Sequence, residues 1–274
     1  MKAIILAAGK GSRLRGAAGD KPKCLASAGE YTLMQRQITA LRASGVDDIV
    51  AVVGFGADKV RRECGPDIDF VENPIFYRTS SLYSLWLARE RFRDGFVVLN
   101  SDVLFHPQLL SDLMTARYED ALLISYSSES APLGEEEMKV KVRAGRVVDI
   151  SKAMDPREAD GENVGIVKFG PVGAALLARQ LGLLVAKGNY RAWAPRAFRD
   201  FARERALHVI GTRGFPWIEI DFPDDYRRAV DEILPEIEGT EAMFDQAFML
   251  ATNNVTQTVS PLQTDFARPA GERV

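Results

Sequence analysis

Apolar and polar positions along this chain fall into two rhythms. Short unbroken apolar runs at Ala3–Leu6, Ile49–Val53, Phe96–Leu99, Ala121–Ser125 and Val164–Phe169 read as buried strands, with Phe70-Val71 a shorter one. Between them the spacing turns helical. Leu33–Leu41 repeats apolar residues at helical intervals and meets Gly45 as a stop, and a polar helix follows Gly54 to about Cys64. Leu82, Leu85, Trp86 and Arg89 fall on one helical face, with Thr79 to Ser81 offering N-caps.

Beyond residue 130 the rhythm changes again. Met138–Val142 alternates charged and apolar residues, Ala144-Gly145 makes a turn, and Val147-Val148-Asp149-Ile150 runs back, which is a hairpin pattern. Helices are predicted over 172–187, Pro195–Arg205 and about Asp224–Ile237, with short strands at Val209-Ile210 and Trp217–Ile220. No internal repeat interrupts this order. Strands alternating with helices predict an α/β chain: a Rossmann-like, mostly parallel sheet flanked by helices, with an antiparallel hairpin insertion over its ligand-binding edge. Residues 1–254 are expected to form one domain with an insertion at about 130–170, and the polar stretch 255–274, carrying Pro261 and Pro269, a flexible tail.

Composition narrows the classes without choosing one. The chain has 274 residues, 46% hydrophobic and 27% charged, which suits a globular enzyme with one sizeable core. A net charge of -3 gives no support for nucleic-acid binding. Cys24 and Cys64 are the only cysteines, and His106 and His208 the only histidines, so neither a disulfide framework nor a His-based metal site is expected. No apolar run is long enough to span a membrane, and the first one flows directly into a loop, so neither a membrane partner nor a signal peptide is expected and a cytoplasmic location is.

The chemistry is concentrated at strand ends. The first strand runs into Ala7-Ala-Gly-Lys-Gly-Ser-Arg13, followed by Lys21-Pro-Lys-Cys24. Gly9 and Gly11 allow close backbone approach to anionic oxygens, while Lys10, Arg13 and Lys23 supply charge, so the loop suits phosphates. It is neither a Walker A loop nor a dinucleotide fingerprint, since no Gly-Lys-Ser/Thr has the required spacing and Leu14 stands at the third glycine position. Asp102 emerges after Val97–Ser101 and Asp221 after Trp217–Ile220, each at the end of an apolar segment. Two such carboxylates are able to hold Mg²⁺ against a triphosphate; the bland alternative is that each caps the helix behind it.

The stretch Leu6–Arg13 with Pro22-Lys23 resembles the signature of the nucleotidyltransferase family, of the MobA and sugar-phosphate nucleotidyltransferase type, over roughly residues 1–230. The resemblance implies that Leu6, Ala8, Gly9, Gly11, Ser12, Arg13 and Lys23 wrap a nucleoside triphosphate. It also implies that Arg13 and Lys23 act in catalysis and that Asp102 and Asp221 hold Mg²⁺, with Glu219 beside them. Asn73–Tyr77, Ser81–Leu85, Gly165-Ile166 and Trp217–Asp221 further resemble the phosphocholine and phosphonate cytidylyltransferase branch. That implies CTP as co-substrate, Ser80 and Ser81 near its base, and a small phosphate or phosphonate acceptor resembling phosphocholine, aminoethylphosphonate or phosphonoformate.

For the acceptor, Lys152 is the first candidate among Lys139, Lys152 and Lys168, with Gly165, Tyr190, Arg191 and Trp193 beside it. A choline-type acceptor calls for aromatic faces and a carboxylate, yet Ala194 follows Trp193, and Arg191 and Arg196 flank it, which keeps an acidic acceptor open. Tyr190, Trp193 and Phe198 equally suit helix packing. The alternatives in function are a sugar-1-phosphate nucleotidyltransferase and a non-catalytic nucleotide-binding module. The stripe Met243, Phe244, Phe248 and Met249 leaves a homodimer as one further expectation.

Overall fold

The computed structural model describes residues 1–14, 21–128 and 133–242. A compact unit spans Met1–Ile237. The stripe at 243–249 and the tail at 255–274 lie outside the described residues.

The chain opens with β1 (Lys2–Ala7), a two-stranded ribbon of β2 (Ser27–Ala28) and β3 (Tyr31–Thr32), and α1 (Leu33–Ala43). Thr32 starts α1 through a capping box: its hydroxyl accepts from the Gln35 backbone N–H, and the Gln35 side chain accepts from the Thr32 N–H. Then follow β4 (Ile49–Val53), α2 (Ala57–Cys64), β5 (Asp69–Glu72), α3 (Ser81–Leu87), β6 (Phe96–Asn100), β7 (Val103–Phe105), α4 (Pro107–Thr115) and β8 (Ala121–Tyr126). The hairpin is β9 (Lys139–Arg143) and β10 (Arg146–Ser151), and β11 (Gly161–Phe169) follows it. The chain continues through α5 (Pro171–Ala186), α6 (Pro195–Glu204), β12 (His208–Gly211), β13 (Trp217–Glu219) and α7 (Pro223–Arg228). The helix predicted over 224–237 is helical throughout: α7 runs into π-helical Ala229–Ile233, and residues 234–237 are α-helical again.

Nine strands form the main sheet in the order β5-β4-β1-β6-β11-β8-β12-β10-β9. The sheet is mixed rather than mostly parallel. Strands β5, β4, β1 and β6 run parallel, but β11 enters antiparallel between β6 and β8, and β10 runs antiparallel to both β12 and β9. A strand that follows a hairpin rather than a crossover helix is free to return in the opposite sense. Segment 130–170 therefore contributes both the far edge of the sheet and, through β11, its middle.

Strand β1 is apolar on both sides because both faces of the sheet are covered. Ala3, Ile5 and Ala7 pack toward Met34, Ile38 and Leu41 of α1 and Leu109 and Leu113 of α4. Ile4 and Leu6 pack toward Leu82 and Leu85 of α3, Leu177 and Leu181 of α5 and Phe198 of α6. None of the helices among the described residues is long and apolar enough to cross a membrane.

Candidate active site

In the parallel pair of β1 and β6, Leu6 stands opposite Asn100, so the loop after β1 and the turn carrying Asp102 leave the sheet side by side. Asp221 arrives from far along the chain. Strand β13 pairs antiparallel with β7, placing Glu219 opposite Val103, and the Ile220 N–H donates to the Asp102 carbonyl at 3.0 Å. This register sets the two carboxylates together. Neither serves as a helix cap: the His106 Nδ1 accepts from Gln108 N–H to cap α4, and the Asp225 carboxylate accepts from the N–H groups of Asp221 and Phe222 at the start of α7.

Lys23 closes the arrangement. Its Nζ donates to Asp102 Oδ2 at 2.8 Å and to Asp221 Oδ1 at 2.6 Å. Burial works to lower the Lys23 pKa, but the two carboxylates outweigh it and raise the pKa above its ordinary value. Burial likewise pushes Asp221 up, but the Lys23 charge and hydrogen bond, with Arg13 and Lys152, hold it below the usual carboxylate range. Arg13 Nη2 lies 3.6 Å from Asp221 Oδ2, and its guanidinium stacks 4.9 Å over Phe222. Glu219 faces the same group and is pushed up to about 8, first by burial and then by Asp102 and Asp221. Asp102 Oδ1 is buried with no hydrogen-bond partner among the described residues.

Lys23, Asp102, Asp221, Arg13 and Glu219 line a cavity of about 490 Å³ together with Leu6, Ala8, Gly9, Gly11, Ser12, Ser80, Ser81, Lys152 and Trp193. Gly11 is required by its geometry. It sits at φ +57°, and a Cβ there would stand 2.6 Å from the Cβ of Lys23. Gly165 is outside the lining but supports it, since a Cβ at this position would meet the Asn100 side chain at 2.9 Å. Tyr190 and Arg191 also stand outside. Tyr190 packs edge-on against Tyr83 at 5.6 Å, and Arg191 is exposed.

The three candidate lysines separate cleanly. Lys168 Nζ donates to the carbonyls of Met114 and Ala116 at the end of α4, and Lys139 Nζ donates to loop carbonyls of Gly134, Glu135 and Glu137. Only Lys152 lines the cavity, with its ammonium 5.0 Å over the Trp193 ring. The serine and threonine hydroxyls expected to cap α3 are used otherwise. Ser81 Oγ accepts from Ala194 N–H, and Thr79 Oγ1 accepts from Asn73 Nδ2, which also donates to Ser84. Asn73, Ser84, Asn100 and Asn163 line the cavity without having been singled out as site residues, because an isolated Asn or Ser carries no spacing signal. Cys24 lines it too, but is 2% exposed and packs in the core like a small apolar side chain.

Residues 3–206 match the MobA-like NTP transferase domain. The choline-phosphate cytidylyltransferase of Streptococcus pneumoniae is 27% identical over 85% of this chain and 98% of its own length. The bifunctional IPC transferase and DIPP synthase of Rubrobacter xylanophilus is 30% identical over 85% of this chain, which spans only 52% of that protein. Among solved structures, the inositol-1-phosphate CTP transferase from T. maritima superposes with a TM-score of 0.69 at 25% identity, covering 86% of this chain and 96% of that one. The S. pneumoniae CTP:phosphocholine cytidylyltransferase shares the fold at a TM-score of 0.69 and 24% identity, over 84% and 97%. With a family match over most of its length, and with relatives and structural neighbours that are nucleotidyltransferases, this chain belongs to the MobA-like NTP transferase domain family.

Proposed function

We infer that this protein transfers a cytidylyl group from CTP to a small phosphate or phosphonate acceptor and releases pyrophosphate. The observation that carries the reading is Lys23 held between Asp102 and Asp221 against the glycine loop, with Lys152 lining the same cavity. CTP as donor is supported by relatives named as cytidylyltransferases for choline phosphate and phosphoglutamine and as a CMP-5'-(3-aminopropyl)phosphonate synthase.

An acceptor phosphoryl oxygen attacks the α-phosphorus of the nucleotide. The new P–O bond forms as the bond from the α-phosphorus to its bridging oxygen breaks, and pyrophosphate leaves with the electron pair. The nucleophile is already anionic at neutral pH, so no general base is needed. The protein's task is to bring two anions together and to neutralise charge as it develops. Arg13 and Lys23 do this on the donor side, Lys152 on the acceptor side, and loop N–H groups around Gly9 and Gly11 cradle the triphosphate. Ser80 and Ser81 stand near the base.

Asp102 and Asp221 fit Mg²⁺. They present hard oxygen donors side by side, Asp102 Oδ1 is a buried acceptor without a hydrogen bond, and Asp221 is held ionised. When bound, the ion neutralises charge on the triphosphate and the leaving pyrophosphate.

The test is pyrophosphate release with Mg²⁺ and each of CTP, UTP, GTP, ATP and dTTP across phosphocholine, 2-aminoethylphosphonate, phosphonoformate and hexose 1-phosphates. Release with CTP and a small acceptor is expected, falling at least ~100-fold in Lys23→Met, since a positioned charge at a transferring phosphoryl group is worth about that much. Turnover confined to a hexose 1-phosphate with another nucleotide would refute the assignment.

A further inference from the structure

One carboxylate outside the cavity lining reaches two of the cations that line it. Glu136 Oε2 lies 3.7 Å from Arg13 Nη1 and 3.8 Å from Lys152 Nζ, so it bridges the cation assigned to the donor and the cation assigned to the acceptor. Its side chain is 70% exposed and the residue lies in no strand or helix, so packing does not hold it there.

The loop beneath it is held by Lys139. This lysine is fully buried at the start of β9, and its Nζ donates to the carbonyls of Gly134 at 3.1 Å, Glu135 at 2.9 Å and Glu137 at 3.3 Å. An ammonium has three N–H donors, and a buried one is costly unless hydrogen bonds replace its water. Here the bonds go to the backbone of a single short turn. The turn is fastened through its carbonyls while the Glu136 carboxylate is left to face Arg13 and Lys152.

We propose that Glu136 is a built-in anion that competes with substrate phosphoryl groups for Arg13 and Lys152, and that Lys139 is the residue that positions it. The assignment rests on the phosphoryl-transfer reading for what displaces it. A singly charged group gains little by exchanging with a carboxylate. A phosphoryl dianion brings a second charge and an oxygen pair that suits the guanidinium fork, so it takes the seat. Glu136 thereby lowers affinity for every anion that seeks Arg13 and Lys152, and least for doubly charged phosphoryl groups.

The experiment is calorimetric titration of wild type, Glu136→Gln, Glu135→Gln and Lys139→Met with CTP and with inorganic pyrophosphate, without acceptor, followed by steady-state pyrophosphate release by the same proteins across the acceptor panel. Removing two exposed ion pairs of modest strength should tighten binding by about three- to tenfold in Glu136→Gln. Glu135→Gln, on the same loop, should bind as wild type does. Lys139→Met should shift in the direction of Glu136→Gln, and both should lower KM with kcat nearly unchanged, a split that simple loss of structure would not produce. A dissociation constant for Glu136→Gln that is unchanged or weaker would overturn the proposal, whether or not Lys139→Met folds. Tightening by Glu136→Gln in a protein that releases no pyrophosphate with any acceptor would leave the competition standing and remove the transferase reading instead.

Discussion

Replacing Gly11 by alanine separates the strain of a backbone conformation from the placement of the charge proposed to act in catalysis. Gly11 sits at φ +57°, where an L-residue costs about 1–2 kcal/mol. Its new Cβ would also lie 2.6 Å from the Lys23 Cβ, and reaching the 3.4 Å of ordinary contact requires a displacement of about 0.8 Å. Lys23 has little room to yield, because its Nζ is fixed by Asp102 and Asp221 at 2.8 and 2.6 Å. A misplacement approaching 1 Å at such a group costs on the order of 100-fold in rate, or about 2.7 kcal/mol of transition-state stabilisation.

Gly45 is the internal control. It closes α1 at φ +76°, and a Cβ there would meet nothing within 4 Å, so Gly45→Ala carries the strain without the collision. Both variants should lose about 1–2 kcal/mol, seen as a Tm lower by roughly 2–8 °C. Only Gly11→Ala should lose about 100-fold in kcat/KM for pyrophosphate release. If Gly11→Ala keeps wild-type kcat/KM while matching Gly45→Ala in stability, Lys23 is not placed by its contact with Gly11.

Glu162 and the two thiols give further expectations. Burial, then Glu137, pushes Glu162 up to about 7 against only partial offset by Lys152 and Lys139, from about 4.5 in an unfolded chain. A carboxyl with a raised folded-state pKa contributes stability that is complete below about 4.5 and is lost as the pH rises through about 7. Glu162→Gln should therefore match wild type in thermal unfolding at pH 4 and exceed it at pH 8, and an equal difference at both values would contradict this. Burial pushes the Cys24 thiol up to about 12 and the half-buried Cys64 thiol up to about 11. At pH 8 both are neutral, so a disulfide reagent should modify Cys64 slowly and reach Cys24 only after denaturation; rapid native labelling of Cys24 would show its packing to be wrong.

Local pattern alone determined much of this molecule. The run Ala3–Leu6 is apolar at every position because a strand covered on both faces has no polar side, and that was legible before any contact was known. The loop from Gly9 to Arg13, with Lys23 behind it, carried its chemistry in residue type and spacing, and the cavity contains all of them. Hairpin β9–β10 was readable from its alternation and turn. What the sequence could not carry was every relation between distant segments. The direction of β11 depends on how the chain re-enters the sheet, and an apolar run is the same read either way. Asp102 meets Asp221 only because β13 pairs with β7 in one register, and a carboxylate before a helix looks like a cap until the pairing is known. Lys152 ranked first among the three lysines only for its place after the hairpin; it is burial that sent Lys139 and Lys168 to backbone carbonyls and left Lys152 facing the cavity. Composition and periodicity set which surfaces are buried, whereas the partners of a charged side chain are fixed by the paths of elements far away in the chain.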